Sequence, residues 1–329
     1  MKNRLHCFVC RGLVFLLTFV ILTRTTYAQH VMLGNKNVNA EIGINFGPTF
    51  FLGDLGGHRG YGSTFIKDVN LPLTKFMKGF FVSVYPNEWL GFRIAGQYTY
   101  VEGQDRIIGT NGSNELFRKY RNLDFRSDIW EVYTAVEFFP LMILKQYDVE
   151  YQPKLRPYIF AGVGVFHFNP QGSLTDANGN KTWQYLHPLH TEGEGFPEYP
   201  DRKPYPLTQL NIPMGAGLKY LLSDKINLGV ELLYRKTFTD YVDDVSTTYI
   251  DRNLFNKYLS PADANIALQI NDKSSSNYTR TDPGLQRGNP KNNDAYFSFL
   301  LKIGIRLSGN FDNDNDKRAV KHTRCPARF

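Results

Sequence analysis

The sequence predicts an all-β fold: an eight-stranded antiparallel up-and-down transmembrane β-barrel with four long extracellular loops. Three observations predict it. Eight segments alternate apolar residues with polar or small ones at a period of two, as strands with one apolar and one wet face do. Their connections alternate long, short, long, medium, long, short, long, the rhythm of a barrel with long outer loops, short periplasmic turns and both ends inside. A secretory pattern opens the chain, and no later stretch reads as a transmembrane helix.

Residues 1–28 read as a signal peptide. Lys2, Arg4 and Arg11 are its basic start, 12–22 its apolar core, and Thr26-Tyr27-Ala28 a small-residue cleavage site before Gln29. That core is shorter than the roughly 20 residues of a spanning helix. An N-terminal linker (29–40), the barrel (41–308) and a polar periplasmic tail (309–329) follow, which places the protein in the cell outer membrane. Of three cysteines, Cys7 and Cys10 leave with the signal, so Cys325 has no intrachain disulfide partner. Removing Lys2, Arg4, Arg11 and Arg24 lowers the formal charge from +7 to +3. Much of the basicity is therefore targeting, and the absence of a basic-aromatic module excludes a nucleic-acid partner. An aromatic content of 15% with 28 glycines suits a barrel.

The first strand, 41–52, sets Ile42, Ile44, Phe46, Phe50 and Leu52 against Glu41, Gly43, Asn45, Gly47 and Thr49, with Pro48 weakening one ladder position. A glycine-rich loop runs to about Lys75. The second and third strands form a hairpin around Pro86-Asn87-Glu88-Trp89, with Tyr85 and Trp89 expected in an interfacial aromatic girdle. In the third, Leu90, Phe92, Ile94, Tyr98 and Tyr100 oppose Gly91, Arg93, Ala95, Gln97 and Thr99. The fourth, 124–138, turns Trp130, Val132, Val136 and Phe138 one way and Glu131, Tyr133 and Glu137 the other. The fifth, 157–168, opposes Ile159, Ala161, Val163 and Val165 to Tyr158, Phe160, Gly162 and Gly164, a ring-and-gap face suited to a narrow interior. After a polar loop at 169–206, the sixth and seventh strands, 207–222 and 226–235, meet at a tight turn. A last long loop, 241–293, leads to the closing strand. There Phe297, Phe299, Leu301, Ile303, Ile305 and Leu307 form an unbroken apolar row that faces membrane lipid. Pairing this strand with the first removes both sheet edges. It is also the expected signal for the barrel-assembly machinery.

The inward faces collect Arg93, Glu131, Glu137, Lys219, Glu231, Arg235, Lys302 and Arg306. Eight strands leave a lumen that side chains just fill. These charges are therefore expected to form a structural ion-pair plug rather than an ion path. Elsewhere the chemistry is thin. His167, His187 and His190 with Glu192 and Glu194 suggest zinc or a rim hydrolase, and Asp240, Asp243 and Asp244 suggest calcium. Solvated loop side chains and a rim acid cluster are the commoner explanations of the two sets. No Gly-x-Ser-x-Gly or His-Glu-x-x-His appears, so no catalytic residue, metal or cofactor is expected.

Several stretches carry a further pattern. They are Glu41-Ile42-Gly43 through Phe51-Leu52-Gly53-Asp54-Leu55; Asn122-Leu123-Asp124-Phe125-Arg126-Ser127; Arg156-Pro157-Tyr158; the loop from Leu186 through Thr191-Glu192-Gly193-Glu194 to Gly195; Arg235 through Asp240, Asp243, Asp244, Ser246 and Thr247 to Tyr249; Gln286-Arg287-Gly288-Asn289; and Lys291-Asn292-Asn293-Asp294. Together they resemble the PorG-type outer-membrane barrels of the Bacteroidetes type IX secretion and gliding apparatus. The resemblance implies an OmpA-like barrel without a peptidoglycan-binding domain. It also implies a non-enzymatic role in protein transport, tying periplasmic ring proteins of the PorK and PorN type to the outer membrane. A long 249–286 loop containing Ser260-Pro261-Ala262-Asp263, and the tail, depart from the pattern. The alternative from another class is a surface adhesin or receptor using the long loops.

Overall fold

The computed structural model of the chain describes residues 39–55, 73–108, 115–144, 153–175, 178–223, 225–274 and 280–307. The signal peptide, most of the N-terminal linker, much of the first loop and the polar tail, including the expected partner contact at 309–329, lie outside the described residues. The elements are β1 (Asn39–Leu52), β2 (Lys75–Asn87), β3 (Leu90–Gln104), α1 (Glu115–Arg121), β4 (Asp124–Phe138), α2 (Pro140–Leu144), β5 (Leu155–Thr175), β6 (Lys181–Tyr185), β7 (Thr208–Leu221), β8 (Ile226–Thr237), α3 (Asn253–Tyr258), α4 (Pro261–Asn271) and β9 (Ala295–Arg306).

Antiparallel ladders run β1–β2–β3–β4–β5–β7–β8–β9, and β9 returns to β1, so eight strands close the barrel. The closure pairs Glu41 with Arg306 at the periplasmic end and Leu52 with Ala295 at the outer end. Between Phe46↔Leu301 and Thr49↔Ser298 the ladder is interrupted, where Pro48 has no N–H to donate. The ninth strand, β6, lies outside the ring and pairs with the extension of β5 at Gln171–Thr175.

The outer wall is apolar. In β9 and just beyond it, Phe299, Leu301, Ile303, Ile305 and Leu307 are all exposed, and the same parity in β4 exposes Trp130, Val132 and Val136. Phe297 is instead covered, stacking on Phe50 with ring centroids 5.0 Å apart. An apolar face this continuous is stable only against hydrocarbon. No helix among the described residues is long and apolar enough to cross a membrane; the strands do the crossing.

Rings and glycines interlock inside. A Cβ on Gly217 would lie 2.5 Å from Tyr158 Cζ, so only glycine admits the tyrosine there. Tyr85 does not join an aromatic girdle. Its parity is that of buried Phe81, and its hydroxyl donates to Glu137 Oε2 at 2.8 Å inside the barrel. Trp89 packs partly buried against the periplasmic end of the same core.

Candidate functional site: a charged plug beneath an acidic roof

The interior is stacked in layers. At the periplasmic end, Lys219 donates to Glu41 Oε2 at 2.8 Å and to the Tyr85 hydroxyl, and Asn227 also donates to Glu41. Phe139 and Met142, at the start of the β4–β5 connection, are buried across the base. Arg306 stands at this mouth beside Glu41, Glu88 and Arg156.

Arg93 is the hub of the middle layer. Its Nε donates to Glu137 Oε1 at 2.5 Å, and Nη1 and Nη2 donate to the two oxygens of Glu231 at 3.0 and 2.7 Å. Its guanidinium lies over the Phe160 ring at 4.8 Å. Lys302 and the Tyr158 hydroxyl complete the shell of Glu231. Above this layer Arg235 joins Glu131 Oε2 at 3.2 Å, Gln97 Oε1 at 2.5 Å and Ser298. Glu131 also accepts from Asn211 at 2.6 Å. Four cations (Arg93, Lys219, Arg235, Lys302) meet four carboxylates (Glu41, Glu131, Glu137, Glu231) in these contacts. A buried ion pair persists only when its geometry satisfies both partners, and this balance does so. Glu41 belongs to the network although only its polar parity marked it in the sequence.

A disc of Phe51, Leu123, Phe125, Ile129, Phe166, Phe168, Tyr205 and Val242 seals the outer end of the charged layers. Above it the long loops fold into a roof rather than standing solvated. Glu192 accepts from the Ser246 and Thr247 N–H groups at 3.0 and 2.8 Å and from Arg287 Nη1 at 2.8 Å. Asp244 accepts from the Thr191 and Tyr205 hydroxyls, both at 2.5 Å. Gly193, at φ +77°, supplies the left-handed turn between Glu192 and Glu194. Arg121 grips Asp105 with Nε and Nη2 at 2.7 and 2.9 Å and also donates to the carbonyls of Asp54 and Arg287. One side chain thereby ties three loops together.

Asp54 accepts from Asn289 N–H, and Gly288 fits between Asp54 and Ser246, where a Cβ would strike Ser246 backbone at 2.6 Å. Asp243 accepts from Leu55 and Val245 N–H at 3.0 Å each, and Asp294 accepts from Val242 N–H at 2.8 Å. Arg126 pairs with Gln171 and lies over the Trp183 ring, away from this knot. Asn292 and Asn293 are exposed. The outermost layer is a small apolar core of Leu186, Leu189, Phe196, Ile250, Phe255 and α4 residues. Helix α4 begins at Ser260, whose hydroxyl accepts Asp263 N–H at 3.2 Å with Pro261 in the first turn. The Ser-Pro-Ala-Asp stretch is a readable helix start of this kind.

The roof is strongly acidic. Eight buried carboxylates (Asp54, Asp105, Glu192, Glu194, Asp240, Asp243, Asp244, Asp294) share it with three buried arginines, Arg118, Arg121 and Arg287, among the described residues. Burial first, and neighbouring carboxylates next, push Glu194 to about 8 and Asp240 to about 10. Asp243 and Asp294 are raised well above the ordinary range for the same reasons. Asp54 and Asp244 rise to about 6 through burial, held back by the Asn289 N–H and by Arg287 respectively.

His187 and His190 stand side by side with ring centroids 6.5 Å apart, but His167 does not join them. His167 faces outward and bonds Thr208 Oγ1 at 2.9 Å, while His187 Nε2 bonds the Tyr205 carbonyl at 3.0 Å. Among the described residues no three His, Cys, Asp or Glu side chains meet at metal-ligand spacing.

The chain is thus an outer-membrane β-barrel with a filled interior and a folded extracellular roof. No protein family and no curated protein matches its sequence. Among solved structures it is similar to a major outer membrane protein from Thermus thermophilus, at 12% identity over 82% of this chain and 99% of that one, TM-score 0.35. It is likewise similar to Neisserial surface protein A, at 10% identity over 81% and 96%, TM-score 0.34. A third is Ail, the attachment invasion locus protein of Yersinia pestis, in complex with the heparin analogue sucrose octasulfate, at 9% identity over 82% and 99%, TM-score 0.33.

Proposed function

We propose that this barrel is a non-enzymatic component of a type IX protein secretion system that anchors or contacts a periplasmic ring of the PorK and PorN type. The observation that carries the reading is the roof. Asp54, Thr191, Glu192, Gly193, Asp243, Asp244, Ser246, Thr247, Arg287, Gly288, Asn289 and Asp294, which carry the resemblance to PorG-type barrels, lie in one knot across three loops. A filled lumen leaves the exposed surfaces to do the work, and the periplasmic turns are those within reach of a ring. Detergent-solubilised outer membranes carrying a tagged full-length chain are expected to yield periplasmic ring proteins on affinity purification, and deletion of the chain is expected to impair secretion. Purifications that never contain ring proteins, with secretion intact after deletion, contradict the proposal. The ordered outer core around Phe196 and Phe255 favours one second reading, an adhesin or receptor. Loss of surface binding after replacement of 250–274, with secretion unchanged, selects it.

A further inference from the structure

The barrel interior balances its buried charge, and the roof does not. Its eight buried carboxylates exceed its buried arginines by five among the described residues. Three of the eight are well provided for: Asp105 by Arg121, Glu192 by Arg287 and two N–H groups, and Asp244 by two hydroxyls. The excess collects where Asp54, Asp240, Asp243 and Asp294 come together. The Asp294 N–H donates to the Thr239 carbonyl at 2.9 Å, which sets Asp294 beside Asp240. Asp243 reaches the N–H of Leu55, and Asp294 the N–H of Val242, so each carboxylate abuts the backbone next to another.

Two of these residues carry oxygens that no donor among the described residues reaches. Asp240 is 7% exposed and Asp294 2% exposed, yet both oxygens of Asp240 and Oδ1 of Asp294 lack a donor. The Ser246 hydroxyl is close enough to ease the charge on Asp240 without reaching hydrogen-bonding geometry. Asp294 Oδ1 faces Gly53, beside Asp54, so closely that a Cβ on the glycine would collide with it. An orphaned buried carboxylate oxygen is strongly destabilising unless a counter-ion or proton meets it.

We propose that the roof binds one calcium ion, with Asp240 and Asp294 as its protein carboxylate ligands and Asp54 and Asp243 supplying further negative charge around it. Oxygen-only chemistry selects a hard cation. Ca²⁺, which accepts backbone carbonyl and water oxygens in an irregular shell, suits a site between irregular loops better than Mg²⁺, which demands near-octahedral geometry. The ion would neutralise the knot joining the first and last loops, making roof closure dependent on the calcium level outside the cell.

The test uses the full mature chain, refolded in zwitterionic detergent free of lipopolysaccharide and stripped with EDTA. Titration with Tb³⁺, excited through neighbouring tyrosines such as Tyr241, is expected to give saturable luminescence at one ion per chain, displaced by Ca²⁺. Ca²⁺ is also expected to raise the melting temperature of the stripped protein. Asp240→Asn and Asp294→Asn, which keep the side-chain shape, are expected to weaken Tb³⁺ binding on the order of tenfold or more. Asp201→Asn, on an exposed turn, is expected to leave it unchanged. Retention of the heat-modifiable electrophoretic shift by each variant separates lost binding from lost folding. Absence of saturable Tb³⁺ binding overturns the proposal, as does binding unaffected by either substitution in folded protein. A melting temperature indifferent to Ca²⁺ that falls as pH rises from 6 to 8 also overturns it. Carboxyls whose folded pKa is raised stabilise below their unfolded pKa and lose that contribution as pH climbs through the folded value, so that result assigns protons to the knot.

Discussion

Replacing Arg93 with methionine is expected to destabilise the barrel by about 3–5 kcal/mol, because it strips a buried partner from two carboxylates at once. Glu137 and Glu231 are both fully enclosed, and Lys302 at 3.0 Å from Glu231 is the remaining cation in contact with either. The loss is a large part of the 5–15 kcal/mol that holds a typical domain together. Urea unfolding of the detergent-folded chain, followed by tryptophan fluorescence and the electrophoretic shift, measures it. The double change Arg93→Met and Glu137→Gln is expected to recover most of the loss, since it leaves Lys302 paired with Glu231 and no carboxylate uncompensated. A double variant no more stable than the single one would show that Arg93 acts through its packing on Phe81, Tyr158 and Phe160 instead.

The second large effect separates roof from wall. Arg121→Met removes the grip on Asp105 and the links to Asp54 and Arg287, and it deepens an existing excess of negative charge. The expected cost is again about 3–5 kcal/mol, confined to the loops because the barrel ladders do not pass through Arg121. Hydrogen exchange is expected to accelerate over 186–202 and 239–258 while β1–β5 and β7–β9 stay protected, with the electrophoretic shift retained. Unchanged exchange in those loops would mean that the apolar core around Phe196 and Phe255 holds the roof without the arginine.

The wall was legible in the sequence because a strand writes its environment at a period of two. Once Phe299, Leu301 and Ile303 point to lipid, Leu300 and Lys302 must point inward, and the structure buries both. Glu41 escaped the expected network because its partners, Lys219 and Asn227, lie 178 and 186 residues away, and only ring closure brings them together. Tyr85 was misplaced because its position beside a turn suggested an interface; its parity with Phe81 was the better guide.

The roof was far less legible, for a physical reason. Asp240, Asp243 and Asp244 look solvated when polarity alone is read. Their burial comes from contacts such as Leu55 N–H to Asp243, across 188 residues, which no local pattern encodes. The Ser260 cap of α4 is the exception, a local signal present in the chain itself. Asp54, Glu192, Asp243, Arg287 and Asp294 lie far apart in the chain, and only the folded loops bring their stretches into contact.

The most direct test of a solid, surface-acting barrel is electrical. The full mature chain, inserted into a planar lipid bilayer, is expected to show no persistent conductance above the bare membrane, since rings and ion pairs fill the lumen from Phe139 to Phe168. A steady, ohmic open channel, reproducible across insertions, would contradict the plug and return Arg93, Glu137, Glu231 and Lys302 to the role of an ion path.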